Sequence, residues 1–339
     1  MTKTFFCKLL NNPFNDPIVT VEFIKQGTSP SSKNRFFLFD LGELSNISSK
    51  HLQKISHVFV SHMHIDHFIG FDTLIRAILI REETLYVYGP LGIINAVNGH
   101  LSGYTWNLVK NYPLKIEVFE IIESGISCAG FYAQNGFNKI IKDKLPFNEI
   151  IYSDPDLSIK AAIFDHLIPV LGYAIIEDIQ ININKDKLIE RSLKSGHWLS
   201  ELKDKIRTML FDHQQWEQGI NDNIYIDGIE HSVEELKDLI IFTKGQKIVY
   251  ITDIAPSKEN IERAIALAKD ADVLFIEAYF LEQDCDHAGR KGHLTARAAG
   301  HIAAKAAVKT FEIIHVSKKY LDVYFAILDE VNKEFINEK

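Results

Sequence analysis

The apolar run Val58-Phe59-Val60 leads directly into Ser61-His62-Met63-His64-Ile65-Asp66-His67. This H-x-H-x-D-H cluster ends a segment that reads as a buried strand. Side chains alternate along a strand, so His62, His64 and Asp66 share one face for as long as the extended geometry lasts. A turn beginning at Asp66 lets His62 and His64 grip one metal ion while Asp66 and His67 lean towards a second. Neutral imidazole and carboxylate suit zinc, and also manganese or iron. The plain alternative is a surface run of histidines at a strand end, and the spacing weighs against it.

The remaining composition narrows the class of protein. With 339 residues, 46% hydrophobic and 24% charged, the chain can bury a large core. A net charge of -8 argues against a basic protein that coats nucleic acid, although a local cationic track on an acidic body stays open. Cys7, Cys128 and Cys285 are odd in number and widely spaced, which fits a reducing compartment better than a disulfide framework. Lys3 and Lys8 interrupt the start where a signal peptide needs its apolar core, and no apolar run approaches the roughly 20 residues of a membrane span. The expected location is the cytoplasm, with no membrane partner.

Taken in order, the chain opens with strands at Val19–Phe23 and Arg35–Asp40, joined by a turn from Gly27 to Asn34. A short helix from Ser49 to Ile55 feeds the strand beneath the histidine cluster, and helical spacing from Phe68 to Arg81 follows it. Leu85–Pro90 reads as a strand, Leu91 to Leu108 as a helix interrupted by Gly99 and Gly103, and Lys115–Ile122 and Gly130–Tyr132 as further strands. Leu157 to His166 and Gly172–Ile176 extend the pattern. Residues 182–245 are polar and read as helix-rich; seven Lys/Arg between Lys185 and Arg207 face four acids. That segment reads as an insertion in a single domain spanning 1–339, either a solvated helical hairpin or a substrate arm or lid. Strands Lys247–Asp253, Val273–Glu277 and Thr310–His315 then alternate with helices Lys258–Lys269, Gly292 to Ala307 and Tyr320 to Phe335.

Five of these apolar strands end in His62/His64, His166, Asp253, Glu277 and His315. Catalytic groups and ligands collect at the carboxyl ends of strands, where loops vary above a rigid sheet, so five such endings imply a common rim. The set suffices for two ions: His62, His64 and His166 on one, Asp66, His67 and His315 on the other, with Asp253 bridging. Ions roughly 3.5–4 Å apart acidify a shared water and stabilise the phosphorus and the leaving oxygen, while Asp66 orients that water or takes its proton. His293 is left over by the metals and reads as proton donor to the leaving alkoxide. Glu277 is expected to hold its other ring nitrogen, and Arg297, one helical turn on, to clamp a phosphate. The plain readings of His293 and Arg297 are a helix-start residue and a solvated one. His51, His57, His100, His197, His213, His231 and His301 read as structural or surface residues, and Asp284-Cys285-Asp286-His287 as a polar loop.

With these residues in place the sequence resembles the metallo-β-lactamase fold superfamily of metallohydrolases, and within it the ribonuclease Z branch, the tRNA 3′-processing endonucleases. The superfamily signature is His62-x-His64-x-Asp66-His67 with His166, Asp253 and His315. The narrower match rests on Gly172-Tyr173 after His166, on Gly292-His293-Leu294-Thr295-Ala296-Arg297-x-Ala299, and on His315-x-Ser317-x-Lys319-Tyr320. The resemblance implies an α/β (α+β) four-layer αββα sandwich, two zinc ions, a homodimer, and phosphodiester hydrolysis that leaves a 3′-hydroxyl on the tRNA side. The chain departs from the branch at Phe6 to Asp16, which lacks a Gly-rich opening, and at Gly42-Glu43, which no G-x-G-T continuation follows. It also has Gly196-His197-Trp198-Leu199 where the tRNA arm carries a Gly-Pro element, and Lys319 in place of Arg.

The leading expectation is a dinuclear zinc phosphodiesterase acting on tRNA precursors. A hydrolase of small phosphodiesters such as cyclic nucleotides is the alternative within the fold. A metal-bearing RNA-binding subunit with little turnover is the alternative outside enzymology.

Overall fold

The computed structural model describes residues 4–24, 35–177, 179–211 and 222–339. The expected turn from Gly27 to Asn34, and His213, lie outside them. The strands are β1 (Phe5–Leu9), β2 (Val19–Phe23), β3 (Arg35–Phe39), β4 (Ile55–Phe59), β5 (Leu85–Pro90), β6 (Lys115–Ile122), β7 (Gly125–Tyr132) and β8 (Ile140–Leu145). Then follow β9 (Ile150–Ser153), β10 (Ser158–Asp165), β11 (Pro169–Ile176), β12 (Ile179–Ile183), β13 (Asn223–Ile226), β14 (Ile229–Ser232), β15 (Ile240–Lys244), β16 (Lys247–Ile251), β17 (Val273–Glu277) and β18 (Thr310–Ile314). β1 to β8 form one sheet in sequence order, and a second sheet runs β18-β17-β16-β11-β10-β9.

Alternation along the strands produces the layers. Phe59 of β4, Tyr250 of β16 and Phe275 of β17 point into the core between the sheets. Their neighbours point outwards: Val58 and Val60 towards helices Phe71–Ile78 and Ile93–Ser102, and Val249, Ile251, Leu274 and Ile276 towards helices Lys258–Ala268, Ala296–Lys305 and Tyr324–Glu338. Both faces of these strands are therefore buried, which is why they read as unbroken apolar runs. The result is helix, sheet, sheet, helix: the expected αββα sandwich.

Strand direction puts the ligand candidates at one edge. β16, β17 and β18 pair in parallel, and β10 and β16 are both antiparallel to β11, so all four run the same way. Their carboxyl ends present His166, Asp253, Glu277 and His315 together. In the other sheet β3, β4 and β5 are parallel and present Asp40 and Ser61-His62. The two sheets are stitched at that edge, where Leu171 N donates to Ser61 O at 2.9 Å and the Tyr173 hydroxyl to Val60 O at 2.7 Å.

Several local expectations change. The helix expected from Phe68 to Arg81 is two helices, Ile65–Phe68 and Phe71–Ile78, broken at Gly70, where a Cβ would meet Gly42 O at 2.2 Å. The helix from Leu91 is shorter, Ile93–Ser102, and ends at Gly103. β8 and β9 were not anticipated; every residue of β8 is exposed, so it carries no alternating apolar signal. The 182–245 segment is not simply helical. It combines helices Lys185–Glu190 and Trp198–Phe211 with the pairs β12–β15 and β13–β14 around a small core of its own, including Trp198, Leu202, Ile206 and Leu236.

Candidate metal centre

Four imidazoles of the cluster, His62, His67, His166 and His315, have Nδ1 occupied and Nε2 turned inwards. His67 Nδ1 lies 2.7 Å from Asp40 Oδ2, and His166 Nδ1 lies 2.6 Å from Gly292 O. The Ser61 hydroxyl donates to Asp40 Oδ2 at 2.8 Å, so its lone pair is free to accept from His62 Nδ1 at 3.0 Å. His315 Nδ1 is 2.5 Å from Asp253 Oδ1. A carbonyl or carboxylate oxygen only accepts, so in the neutral ring Nδ1 carries the proton and Nε2 has the lone pair, the usual preparation of a histidine ligand.

The inward atoms converge on one carboxylate oxygen. Asp253 Oδ2 lies 3.6 Å from His62 Nε2, 3.3 Å from His67 Nε2 and 3.7 Å from His166 Nε2. Asp66 Oδ2 lies 3.5 Å from His67 Nε2 and 3.4 Å from His315 Nε2. Three overlapping groups lie at this edge, His62/His64/His166/Asp253, Asp66/His67/His315 and Asp253/Glu277/His293/His315. His62 Nε2 and His67 Nε2 are fully enclosed yet have no hydrogen-bond partner, a costly state for a buried polar atom. Two ligands each about 2.0–2.1 Å from one tetrahedral ion stand roughly 3.3 Å apart, close to the spacings seen. The donor set therefore fits a divalent cation.

The charge balance follows from burial and neighbours. Burial and the adjacent His67 push His62 down to about 2, so it is neutral; burial also lowers the exposed-rim His64. Burial opposes ionisation of Asp253, yet His315 and His67 hold it well below the carboxylate range. Burial likewise opposes charging of His67, but Asp253 and Asp40 lift it well above an ordinary histidine. At Asp66 burial is outweighed by the adjacent His315 and His67, which hold its carboxyl below the usual range.

Backbone strain sits at the same edge. Asp40, Asp253 and His315 all adopt left-handed backbone, with φ of 57°, 51° and 48°. Each such turn costs a non-glycine residue on the order of 1–3 kcal/mol and is retained mainly where function needs the side chain aimed inwards.

The remaining candidates separate into two kinds. His293 Nδ1 is 2.8 Å from Glu277 Oε2, while Glu277 Oε1 accepts from Ile254 N at 2.7 Å. Arg297, by contrast, is exposed on helix Ala296–Lys305, with its Nε 3.5 Å from Glu334 Oε2. His57 is enclosed among Phe37, Tyr86 and Tyr152. His301 lies within reach of Glu334 and Glu338 of the C-terminal helix, a grouping that sequence distance hides. Asp284 receives Lys319 Nζ at 2.8 Å.

Three residues of the site escaped the sequence reading. Asp40 gathers Ser61, His67 and the Tyr250 hydroxyl at 2.6 Å, and its signal was a sixth apolar strand ending in a carboxylate. Tyr250 and Tyr279 gave none, since an aromatic in or after an apolar strand reads as core.

Curated proteins named Ribonuclease Z align over most of the chain. That of Deinococcus radiodurans is 25% identical over 300 residues, covering 86% of each chain. That of Bacillus thuringiensis is 29% identical over 315 residues, covering 90% of this chain and 86% of the relative. Among solved structures, the short form of human tRNase Z matches with a TM-score of 0.50 at 16% identity, covering 93% of both chains. The metallo-β-lactamase fold protein YhfI from Bacillus subtilis matches with a TM-score of 0.50 at 14% identity, covering 95% of this chain and 86% of that one. No family model matches. Layer order, strand-end cluster and these likenesses agree: the chain is a metallo-β-lactamase fold protein whose sequence relatives over most of its length are ribonucleases Z.

Proposed function

We propose that the chain is a ribonuclease Z-like endoribonuclease that cleaves 3′ trailers from tRNA precursors and works with two zinc ions. The observation that carries this reading is the convergence of three imidazole Nε2 atoms on Asp253 Oδ2 beside the Asp66/His67/His315 group. His62, His64 and His166 would hold one cation and Asp66, His67 and His315 the other, with Asp253 available to either. Manganese or iron would suit the same donors. Bound cations supply Lewis acidity to water and to the phosphoryl oxygens.

The chain's own residues supply the rest. Asp66, ionised at the rim of the cluster, orients the attacking water. His293, tied through Nδ1 to Glu277, has Nε2 left to deliver a proton. Water gives up a proton to Asp66 as its oxygen bonds to phosphorus, the bond to the leaving 3′ oxygen breaks, and that oxygen takes the His293 proton, which leaves a 3′-hydroxyl on one fragment and a phosphate on the other. Arg297 would have to leave Glu334 to reach a phosphate, so nothing here depends on it. The proposal includes a homodimer and a cytoplasmic site of action; no helix among the described residues is long and apolar enough to cross a membrane.

The test is incubation of the zinc-loaded protein with a 3′-extended tRNA and analysis of the new end. A 3′-hydroxyl at the trailer junction supports the reading, and an untouched precursor counts against it. A small-phosphodiester reading draws on one observation, the neutralisation of the insertion's cations. Lys187 and Arg191 pair with Asp238, Lys205 with Asp222, and Arg207 with Asp156. Faster cleavage of a cyclic nucleotide or bis(p-nitrophenyl) phosphate than of the precursor would favour it.

A further inference from the structure

We infer that Tyr279 is a positioning residue whose ring holds the His293 imidazole in the plane from which its Nε2 reaches the leaving oxygen, an inference that rests on the hydrolase reading above. Tyr279 follows β17 two residues after Glu277. Its backbone is stitched to the loop that carries His293: Tyr279 N donates to Leu294 O at 3.1 Å and Ala296 N to Phe280 O at 2.7 Å. The phenol ring consequently lies flat on the imidazole, with centroids 4.0 Å apart and planes 9° apart. The same ring meets His315 edge-on at 4.9 Å and 69°, so it wedges between the donor and a candidate ligand.

A single hydrogen bond to Glu277 fixes one atom of His293 and leaves the ring free to swing about it. The stacked phenol removes that freedom, and His166, 4.7 Å away at 58°, bounds the imidazole on another side. Stacking needs the ring and not the hydroxyl, which lies beside Ser317. Tyr279→Phe should therefore keep the function and Tyr279→Thr should lose it.

The experiment compares both variants with the parent, each zinc-loaded, on a precursor RNA and on the same RNA with a 3′-bridging sulfur at the scissile bond, a leaving group that needs no proton. Tyr279→Thr is expected to lower kcat by about 10- to 100-fold on the oxygen substrate, the range for a misplaced catalytic group, with KM and bound metal unchanged. The loss should largely vanish on the sulfur substrate, and Tyr279→Phe should track the parent on both. A crystal structure of Tyr279→Thr should show His293 turned away from Glu277. Equal losses on the two substrates, a Phe variant as impaired as Thr, or a His293 ring unmoved in the crystal would overturn the inference. If the parent cleaves neither RNA the hydrolase reading falls, while the crystallographic comparison still decides whether Tyr279 sets the ring.

Discussion

His166 donates through Nδ1 to the carbonyl of Gly292, which sits at φ 74°, and a Cβ there would approach that nitrogen to 2.9 Å. Gly292→Ala should thus cost about 1–2 kcal/mol of stability, through left-handed strain and a displaced ligand, read by urea unfolding. A variant as stable as the parent would mean the contact is slack. The roles of His293 and Asp253 separate in the same way. His293→Ala should slow turnover by about 100-fold or more with metal retained, since only proton delivery is lost. Asp253→Ala should instead lose metal, as measured by elemental analysis; both variants failing through loss of metal would refute the division. Ligand candidates were legible in the sequence because a histidine or acid at the end of an apolar strand stands out. Arg297 was less legible, because a one-turn spacing from His293 says nothing of which way a side chain points, and its Nε lies 3.5 Å from Glu334, thirty-seven residues later.

At the scale of elements, the strand ends act through what stands behind them. The Tyr250 hydroxyl on β16 reaches across to Asp40 at the end of β3, which in turn fixes His67. Tyr250→Phe should weaken metal binding by about 10- to 100-fold without unfolding the protein, the usual effect of removing a partner of a ligand, measured by chelator competition. β4 itself carries a buried imidazole outside the cluster, His57, lowered to about 3 by burial and by the charge of Arg35. Its unfolded value is near 6.5, so between those limits the unfolded chain binds the proton and the folded one does not. Its contribution is complete above pH 6.5 and declines as the pH falls towards 3, by about 1.4 kcal/mol per pH unit. His57→Phe should flatten that part of the stability curve between pH 6.5 and 5 in urea titrations, and an unchanged slope would contradict the assignment. Strands buried on both faces were readable from composition. β8 was not, because an edge strand with every side chain exposed has no apolar period.

For the molecule as a whole, two sheets bring six strand ends to one edge while the 182–245 segment folds around a separate small core. The segment's cationic excess was plain in the sequence, but its use was not. Arg207 is enclosed and faces Asp156 of the main body, and several other cations are spent on neighbouring acids, so charge counted along the chain overstates what is offered to a polyanion. If RNA is nevertheless held there, cleavage of a precursor should fall steeply between 50 and 200 mM salt, by roughly tenfold or more in kcat/KM; a flat salt response would point to small substrates. Distant strand ends are proposed to assemble a site for divalent cations that hydrolyse a phosphodiester. Elemental analysis of the purified, dialysed protein tests this most directly. About two transition-metal ions per chain, falling in Asp253→Ala, are predicted, and a parent protein that retains none would contradict the account.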